Sequence, residues 1–483
     1  MITSLITFLA IPGVLLQGGT IVDGLGGEPY VADLLIVNDR IEAIGNLSAG
    51  PNDRVLPVAG LIVAPGFIDA HSHADGGIVD EPIPITQLTQ GITTAVVGQD
   101  GAWRGPIRSQ FGRIKAARPA INFAAFSGHG GIRGSVMGED YKRLATNEEI
   151  ERMKALFRAD MVQGALGLSS GLEYDPGYYS NTEELVAIAK EAKIWDGMYI
   201  SHSRDEGDKA LEAFREVAEI GKQAGIKAQI SHVKLCTAGS WGKAGEVYKI
   251  PGVTADVYPY LYWQSTAAAL TPSRDWDKRE IWVKAFADVG GPQNVRLSSY
   301  THEPTWVGKD FNQISKLTGR DPVELIQEIL SKTEGPQGTG SQSVVVTSMT
   351  ERDLEVFIKN PTTMFCSDGA VRGSHPRGAG SFPRILGRYV RDRKTLTLTE
   401  AIRKMTSLPA RTFGFKDRGV IRQHAIADLV VFDAATISDH ATPEEPQKLS
   451  TGVQLVFVSG TITLQRGKAT GRRNGQIILR STP

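Results

Sequence analysis

The stretch GFIDAHSHADGG, Gly66–Gly77, begins as a short apolar run and ends in two histidines separated by one serine. Side chains two residues apart in a strand point to the same face, so His71 and His73 are delivered into one space. Two neutral imidazoles in one space suit a divalent metal ion, although such pairs also occur by chance on protein surfaces. The rest of the chain decides between these two interpretations.

This stretch is the first of eight apolar runs that alternate with amphipathic helical segments. The runs lie between residues 61 and 368 and read LIVAPGFIDAH, GITTAVVG, INFAAFSG, GALGLSS, GMYISH, GIKAQISH, GVTADVY and TTMFCSD. Continuous apolar strands separated by helices are typical of a parallel sheet covered on both faces, and eight of them predict a (β/α)8 barrel. Capping patterns predict helix starts at Ser180, Thr397 and Pro322.

Two other features divide the chain. Short alternating segments in residues 14–63 return near the C-terminus, which predicts a small β domain built from both termini. The strand–helix repeat is interrupted from about Ala267 to Ser348, so we expect an insertion over the barrel mouth there. The expected domains are therefore a β-sandwich of residues 1–64 and 415–483, and a barrel of residues 65–414 that contains an insertion at about 267–348.

Composition excludes several classes of partner. The 53 basic residues balance the 53 acidic residues, so nothing favours nucleic acid or a membrane surface. Two cysteines, Cys236 and Cys366, are too few for a disulfide framework, although their pairing stays open. The N-terminal run MITSLITFLAIPGVLL lacks a preceding basic residue and a cleavage site, and it is too short for a membrane span. We expect a cytoplasmic protein, with a periplasmic or secreted one as the alternative.

Residues with metal-binding side chains lie at the ends of the predicted strands, where the active sites of such barrels are found. Four of the nine histidines end three of the runs, and two carboxylates follow two other runs: His71, His73, His202, His232, Glu173 and Asp368. Each has an ordinary explanation by itself, such as a strand-closing hydrogen bond, a solvated loop carboxylate or an Asx turn. Together they are the ligand set expected for Zn²⁺ or a similar cation.

The motifs around these residues resemble a known family. PGFIDAHSHAD, the strand-end His202 and His232, and FCSDG are similar to the amidohydrolase superfamily. The resemblance narrows to the N-acyl-D-amino-acid deacylases (D-aminoacylases) in five further stretches: GALGLSSGLEYDPGYYS, QISHVK, SHPRGAGSFPRILGRYVR, AIRKMTSLPARTFGF and ADLVVFDAATISDHAT. These follow in the family's order from about Val14 to Leu479. The resemblance implies metal-dependent hydrolysis of the amide bond of N-acyl-D-amino acids, with one or two Zn²⁺ ions and a small-molecule substrate.

The resemblance also implies roles for single residues. His71 and His73 would hold one metal position, His202 and His232 the other, and Asp368 would be the catalytic acid and base. The residues that would bind the substrate's carboxylate and carbonyl are Lys234, Arg377 and Tyr174, with Tyr260 and Ser265 beside them.

The chain departs from the family at one position. Where the better-known deacylases have a cysteine ligand after the second strand, this chain has Asp100 in VVGQDGAW. A carboxylate is a harder donor than a thiolate, so Asp100 could bind the metal itself or leave Glu173 to bridge the metals. We expect Glu173 to be a ligand and leave the role of Asp100 open.

Other functions stay open with less support. A D-peptide or β-aspartyl dipeptide hydrolase of the same superfamily could use the same site, and a catalytically silent barrel could act as a scaffold. The presence of Asp368 with all four histidines argues against the scaffold. The acyl group, the side-chain preference, the number of metals and the oligomeric state are not fixed by the sequence.

Overall fold

All eight predicted runs form parallel strands in the computed structural model, which describes residues 12–271, 274–334 and 338–480. The strands are Phe67–Asp69, Ile92–Val97, Asn122–Ala125, Gly167–Gly171, Met198–His202, Lys227–Ile230, Val253–Val257 and Thr363–Phe365. The third strand continues after one residue as Ser127–Gly128, which pairs with the fourth. Each strand is hydrogen-bonded to the next barrel strand along the chain. The eighth strand also pairs with the seventh, although a long insertion separates the two in sequence.

Backbone hydrogen bonds close the barrel between its first and eighth strands. The amide of Ala70 donates to the carbonyl of Phe365 at 3.4 Å, and the amide of Asp368 donates to the carbonyl of His71 at 2.8 Å. The amide of His73 donates to the carbonyl of Gly369 at 2.9 Å. These contacts confirm the (β/α)8 barrel and place the first and last predicted site motifs side by side.

Helices follow the strands and cover the outside of the barrel. Those outside the insertion at about 267–348 are Ile85–Leu88, Ile107–Ala117, His129–Met137, Asn147–Val162, Thr182–Ala189, Ala210–Ala224, Ala244–Val247, Glu351–Lys359, Arg377–Arg384, Leu398–Met405 and Ser407–Phe413. The helix Arg377–Arg384 continues as a wider π-helical stretch, Ile385–Asp392. The strands are buried against these helices; all six residues of Ile92–Val97 are buried. No helix within the described ranges is long and apolar enough to cross a membrane.

Two of the three predicted helix starts are confirmed. Thr397 caps its helix by accepting from the amide of Glu400 at 3.2 Å, and Pro322 is the first residue of Pro322–Thr333. The cap predicted at Ser180 is wrong by one residue. Asn181 accepts from the amide of Glu184 at 3.0 Å, whereas the hydroxyl of Ser180 donates to the carbonyl of Gly177 at 2.6 Å. The serine closes the preceding turn instead of opening the helix.

A separate layer lies between the seventh and eighth barrel strands. Three antiparallel strands form its sheet, in the order Tyr262–Ser265, Gln342–Thr347, Val295–Tyr300. Three helices pack on this sheet around their own apolar cluster: Arg279–Asp288, Phe311–Thr318 and Pro322–Thr333. Side chains of this layer, including Trp263, Ser265 and Ile281, line the cavity at the carboxyl ends of the barrel strands. The insertion therefore covers the barrel mouth, as the interrupted repeat predicted.

The two ends of the chain meet in one nine-stranded sheet. Its strands are Val14–Ile21, Tyr30–Val37, Arg40–Gly45, Arg54–Pro57, Ile62–Pro65, Leu429–Phe432, Val453–Val458, Thr461–Gln465 and Lys468–Ala469. The join between N-terminal and C-terminal strands is the antiparallel pair Ile62–Pro65 and Leu429–Phe432. A single residue, Gly66, separates this sheet from the first barrel strand. The exact domain boundaries stay predictions, and residues 1–11 of the apolar N-terminal run lie outside the described residues.

The turn after the second barrel strand generates a prediction about Gly98, two residues before Asp100. Gly98 has φ +72°, and a Cβ there would lie 2.2 Å from the carbonyl oxygen of Phe126. Gly98→Ala should lower the free energy of unfolding by at least about 2 kcal/mol, because it adds a clash to a strained backbone. Thermal unfolding measures the loss.

Gly112→Ala is the matched control. Gly112 lies in the helix Ile107–Ala117, and a Cβ there would have no neighbour within 4 Å. The alanine should leave stability unchanged or raise it by about 0.5–1 kcal/mol. Equal stability of the two variants would show that the turn before Asp100 is not constrained as described.

Candidate functional site

A cavity of about 970 Å³ lies at the carboxyl ends of the barrel strands, beneath the insertion. Ten of the twelve site residues predicted from the sequence line it: His73, Asp100, Glu173, Tyr174, His202, His232, Lys234, Ser265, Asp368 and Arg377. Ser265 reaches the same cavity from the insertion. His71 is fully buried directly beneath it, with its ring 5.3 Å from that of His73.

The first two histidines face two carboxylates. His73 Nε2 lies 3.2 Å from Asp100 Oδ2 and 3.2 Å from Asp368 Oδ1. His71 Nε2 lies 3.4 Å from Asp100 Oδ1 and 3.7 Å from Asp368 Oδ1. The ligand atoms of all four residues lie within 4.8 Å of one another, so this group could hold a metal ion.

The other two histidines share one of those carboxylates. His202 Nδ1 lies 3.1 Å from His232 Nε2, and His232 Nε2 lies 3.4 Å from Asp100 Oδ1. Asp100, His202 and His232 therefore form a second group that could hold a metal. A third group consists of Glu173, His202 and Glu206. Asp100 belongs to both of the first two groups. The carboxylate whose role the sequence left open is therefore shared by two candidate metal sites.

The donor set fits a divalent cation. Both ring nitrogens of His71 and Oδ1 of Asp100 are buried without a hydrogen-bond partner among the described residues. Buried polar atoms are normally satisfied, so unpaired imidazole and carboxylate atoms that face one another indicate a bound ion. Burial opposes the charging of His73, but Asp100 and Asp368 raise its pKa to about 10. The two carboxylates therefore favour a positive charge at this point, and a bound metal ion would supply that charge.

Three of these residues have left-handed backbones, which is uncommon for residues other than glycine. The φ angles are +53° at Asp100, +34° at His232 and +48° at Asp368. Each stands just beyond a barrel strand, where the turn redirects the side chain toward the cavity. Such strain costs about 1–3 kcal/mol per residue and is concentrated at functional sites.

Two buried cations lie beside the metal-facing groups. Lys234 Nζ donates to Glu206 Oε1 at 2.7 Å, and Arg377 pairs with Asp368 through an Nη1–Oδ2 contact of 2.6 Å. Burial opposes ionisation of Asp368, but Arg377 and the neighbouring imidazoles hold its pKa well below the usual range. Arg377 Nε has no hydrogen-bond partner among the described residues. The guanidinium therefore retains donor capacity after pairing with Asp368.

The three hydroxyl-bearing candidates are not all in one place. The Ser265 hydroxyl donates to the Tyr174 hydroxyl at 3.3 Å, and the Tyr174 ring packs 4.6 Å from the His202 ring. Tyr260 is buried elsewhere, where its hydroxyl donates to Asp439 Oδ2 at 3.1 Å and the Arg384 guanidinium stacks on its ring. Tyr260 is not among the residues that line the cavity.

Sequence reasoning missed three buried carboxylates that support the site. Glu206 contacts Lys234, Asp69 accepts from the amide and hydroxyl of Ser367, and Asp256 accepts from the amide of His232 at 2.8 Å. Asp69 and Asp256 lie within predicted apolar strands. An acidic residue is unusual in such a strand, and this could have marked both as candidate functional residues. Glu206 lies in the polar loop HSRDEGD, where no sequence pattern distinguishes it from the neighbouring acids.

Comparisons with known proteins identify relatives along nearly the whole chain. The Amidohydrolase family matches residues 283–464. Over its whole length the chain is 34% identical to an N-acyl-D-glutamate deacylase of Alcaligenes xylosoxydans xylosoxydans, with 97% of this chain and 96% of that protein covered. It is 31% identical to a D-aminoacylase of the same organism, with 97% and 98% covered.

The chain belongs to the D-aminoacylase family of amidohydrolases.

A solved member of this D-aminoacylase family has the same fold. The structure of the N-acyl-D-glutamate deacylase from Bordetella bronchiseptica, in complex with zinc and a phosphonate inhibitor, superposes with a TM-score of 0.85. It is 32% identical and covers 97% of this chain and 99% of that chain.

The shared position of Asp100 generates a prediction for this D-aminoacylase relative. Asp100→Ala removes a donor from both metal groups at once, so zinc affinity should fall by at least about tenfold, the scale at which outer-shell partners already act. Competition with a chromogenic chelator on metal-free protein measures it. Asp75→Ala is the control, because Asp75 accepts from Gln110 and belongs to neither group. Unchanged zinc affinity in Asp100→Ala would exclude Asp100 as a ligand.

Proposed function

We propose that this protein hydrolyses the amide bond of N-acyl-D-amino acids in a metal-dependent reaction and releases a carboxylate and a D-amino acid. One observation carries the proposal: the four strand-end histidines and Asp368 converge at one cavity in a chain related over its whole length to deacylases of this class. A D-peptide or β-aspartyl dipeptide hydrolase would use similar groups, so substrates decide between them.

For the metal ligands we propose two overlapping sets. His71, His73 and Asp100 would hold one Zn²⁺, and Asp100, His202 and His232 the other. Asp100 would then take the position in which the better-known deacylases have cysteine. A divalent cation bound there supplies Lewis-acid chemistry for amide hydrolysis.

For Glu173, which the sequence predicts as a ligand, the contacts support another role. Its Oε2 lies 2.8 Å from His202 Nε2, the ring nitrogen opposite the one that faces His232. A histidine that binds metal through Nδ1 carries its proton on Nε2, and Glu173 is placed to accept it. We propose that Glu173 orients His202.

Asp368 is the proposed general base and acid. It is buried and held by Arg377 beside the ring of His73, and these positive neighbours keep its pKa well below the usual range. From there its Oδ1 would take the proton of the attacking water and later return it to the leaving amine. The low pKa favours the unprotonated form at the start of the cycle.

Lys234 and Arg377 are proposed to bind the substrate's α-carboxylate. Both are buried cations at the cavity wall, and desolvated charge-assisted hydrogen bonds are strong. The planar fork of Arg377 would fix the orientation of the carboxylate and so of the chiral centre. Tyr174 and Ser265 would line the same subsite, whereas the contacts of Tyr260 with Asp439 and Arg384 support a structural role.

Other expectations accompany this proposal. The relationship to deacylases supports a small-molecule substrate. The balanced charge and the N-terminal run support the absence of nucleic-acid and membrane partners and a cytoplasmic location. We also propose the domain boundaries expected from the sequence: residues 1–64 with 415–483, and residues 65–414 with the insertion at about 267–348.

Matched enantiomers test the function. Zinc-loaded enzyme should hydrolyse N-acetyl-D-amino acids and leave the N-acetyl-L forms and the dipeptides nearly untouched, as measured by amine release. Chelated enzyme should be inactive and should recover when zinc returns. Preferred turnover of β-aspartyl or D-peptides would replace the proposal with the alternative, and no turnover by zinc-loaded enzyme would favour the silent scaffold.

Asp368→Asn is the matched variant for the mechanism. Asparagine preserves size and can form the same turn, but it cannot accept the proton of the water at neutral pH. We expect kcat to fall by at least about a hundredfold, the usual effect of losing a general base, while zinc stays bound. Near-normal kcat in the metal-loaded variant would remove Asp368 from proton transfer.

A further inference from the structure

Glu206 is a buried glutamate that the proposed function does not use. It lies on the loop after the fifth barrel strand, four residues beyond His202, and only 8% of its side chain is exposed. The loop is fixed at this point, because the amide of Cys236 donates to the carbonyl of Glu206 at 2.8 Å. A carboxylate is costly to bury without compensating partners.

The partners of Glu206 are a metal-facing histidine and the candidate substrate-binding lysine. Its Oε1 lies 2.7 Å from Lys234 Nζ and 3.2 Å from His232 Nδ1. Its Oε2 lies 3.8 Å from His202 Nε2. One carboxylate therefore stands behind both the metal site and the expected carboxylate subsite.

The tautomer of His232 decides what Glu206 does. His232 Nε2 faces Asp100 and His202, so it is the nitrogen that would bind a cation. Its Nδ1 must then carry the proton and needs an acceptor. Lys234 Nζ, although 2.6 Å away, has only donors in its charged form. Glu206 Oε1 is the carboxylate oxygen near Nδ1 that can accept.

The hydrogen bonds that Lys234 donates also involve Glu206. Its ammonium has three N–H groups. One donates to Glu206 Oε1, and a second donates to the carbonyl of His232 at 3.2 Å. The third can point into the cavity, which Lys234 lines, because a protonated His232 Nδ1 cannot accept from the neighbouring Nζ. Glu206 is the carboxylate paired with Lys234 among the residues the structure describes, and it offsets an ammonium charge beside a metal site.

We propose that Glu206 is a positioning residue that links the two subsites. It accepts the Nδ1 proton of His232, which directs Nε2 toward the metal, and it holds Lys234 so that one donor points at the substrate's carboxylate. The part of this inference that concerns the substrate rests on the proposed function. The part that concerns the metal rests on the geometry of the histidines.

Glu206→Gln tests the link with two readouts. The amide keeps the length of the side chain but loses the charge. Zinc affinity of the metal-free protein, measured by chelator competition, should fall by about 10–100-fold, the usual effect of removing a carboxylate behind a metal-binding histidine. For N-acetyl-D-amino acids KM should rise at least about tenfold, on the scale of one lost charge-assisted hydrogen bond. In a Lys234→Met background Glu206→Gln should leave KM unchanged yet still weaken zinc binding, which a merely structural role would not produce.

Glu216→Gln is the matched control, because Glu216 lines the same cavity but pairs with Arg204. Its zinc affinity should equal that of the wild type. Wild-type zinc affinity in Glu206→Gln, or an equal loss in both variants, would overturn the proposal. If Glu206→Gln does not fold, Glu206→Asp keeps the charge with a shorter reach, and it should show the same losses; wild-type zinc affinity in that variant would overturn the proposal too.

The outcomes separate the two proposals. A wild-type enzyme that binds zinc but hydrolyses no N-acyl-D-amino acid contradicts the proposed function, and the zinc affinity of Glu206→Gln still decides the role of Glu206. A wild-type protein that binds no zinc contradicts both.

Discussion

The seam between the first and eighth barrel strands is the constraint on which the site depends. Asp69 accepts from the amide of Ser367 at 2.7 Å and from its hydroxyl at 2.5 Å, entirely out of water. One residue further along, the amide of Asp368 donates to the carbonyl of His71. The barrel cannot close in another register without separating His71 and His73 from Asp368. Closure of the fold and assembly of the site are thus the same event.

Electrostatics explains why the remaining groups gather at this mouth. Asp368 is buried and Asp100 is partly buried beside four imidazoles, and the neighbouring positive charges lower both carboxylate pKa values against the effect of burial. Burial and Lys234 oppose the charging of His232, but Asp368, Asp100 and Glu206 raise its pKa to about 10. Such a cluster favours positive charge at its centre, and a divalent cation meets that demand with fixed geometry. The left-handed turns at Asp100, His232 and Asp368 are the strain that this arrangement maintains.

Much of this could be predicted from the sequence because local pattern controls it. The eight apolar runs and the histidines at their ends follow from strand periodicity and the barrel rule, and all four histidines meet where expected. Contacts between distant loops could not be predicted, because they depend on packing. The central position of Asp100, the pairing of Glu206 with Lys234, and the burial of Tyr260 against Asp439 are of this kind. Even the cap at Asn181 was missed by one residue, because Ser180 is used in the preceding turn.

Anomalous scattering at the zinc edge from crystals of the zinc-loaded protein tests the central claim most directly. The account predicts a peak within coordination distance of Asp100, between the His71–His73 pair and the His202–His232 pair, with a second peak sharing Asp100 if two ions bind. Zinc–nitrogen and zinc–oxygen distances there should be about 2.0–2.2 Å. A peak held by Glu173 and Glu206 without Asp100, or no peak at the strand ends, would contradict it.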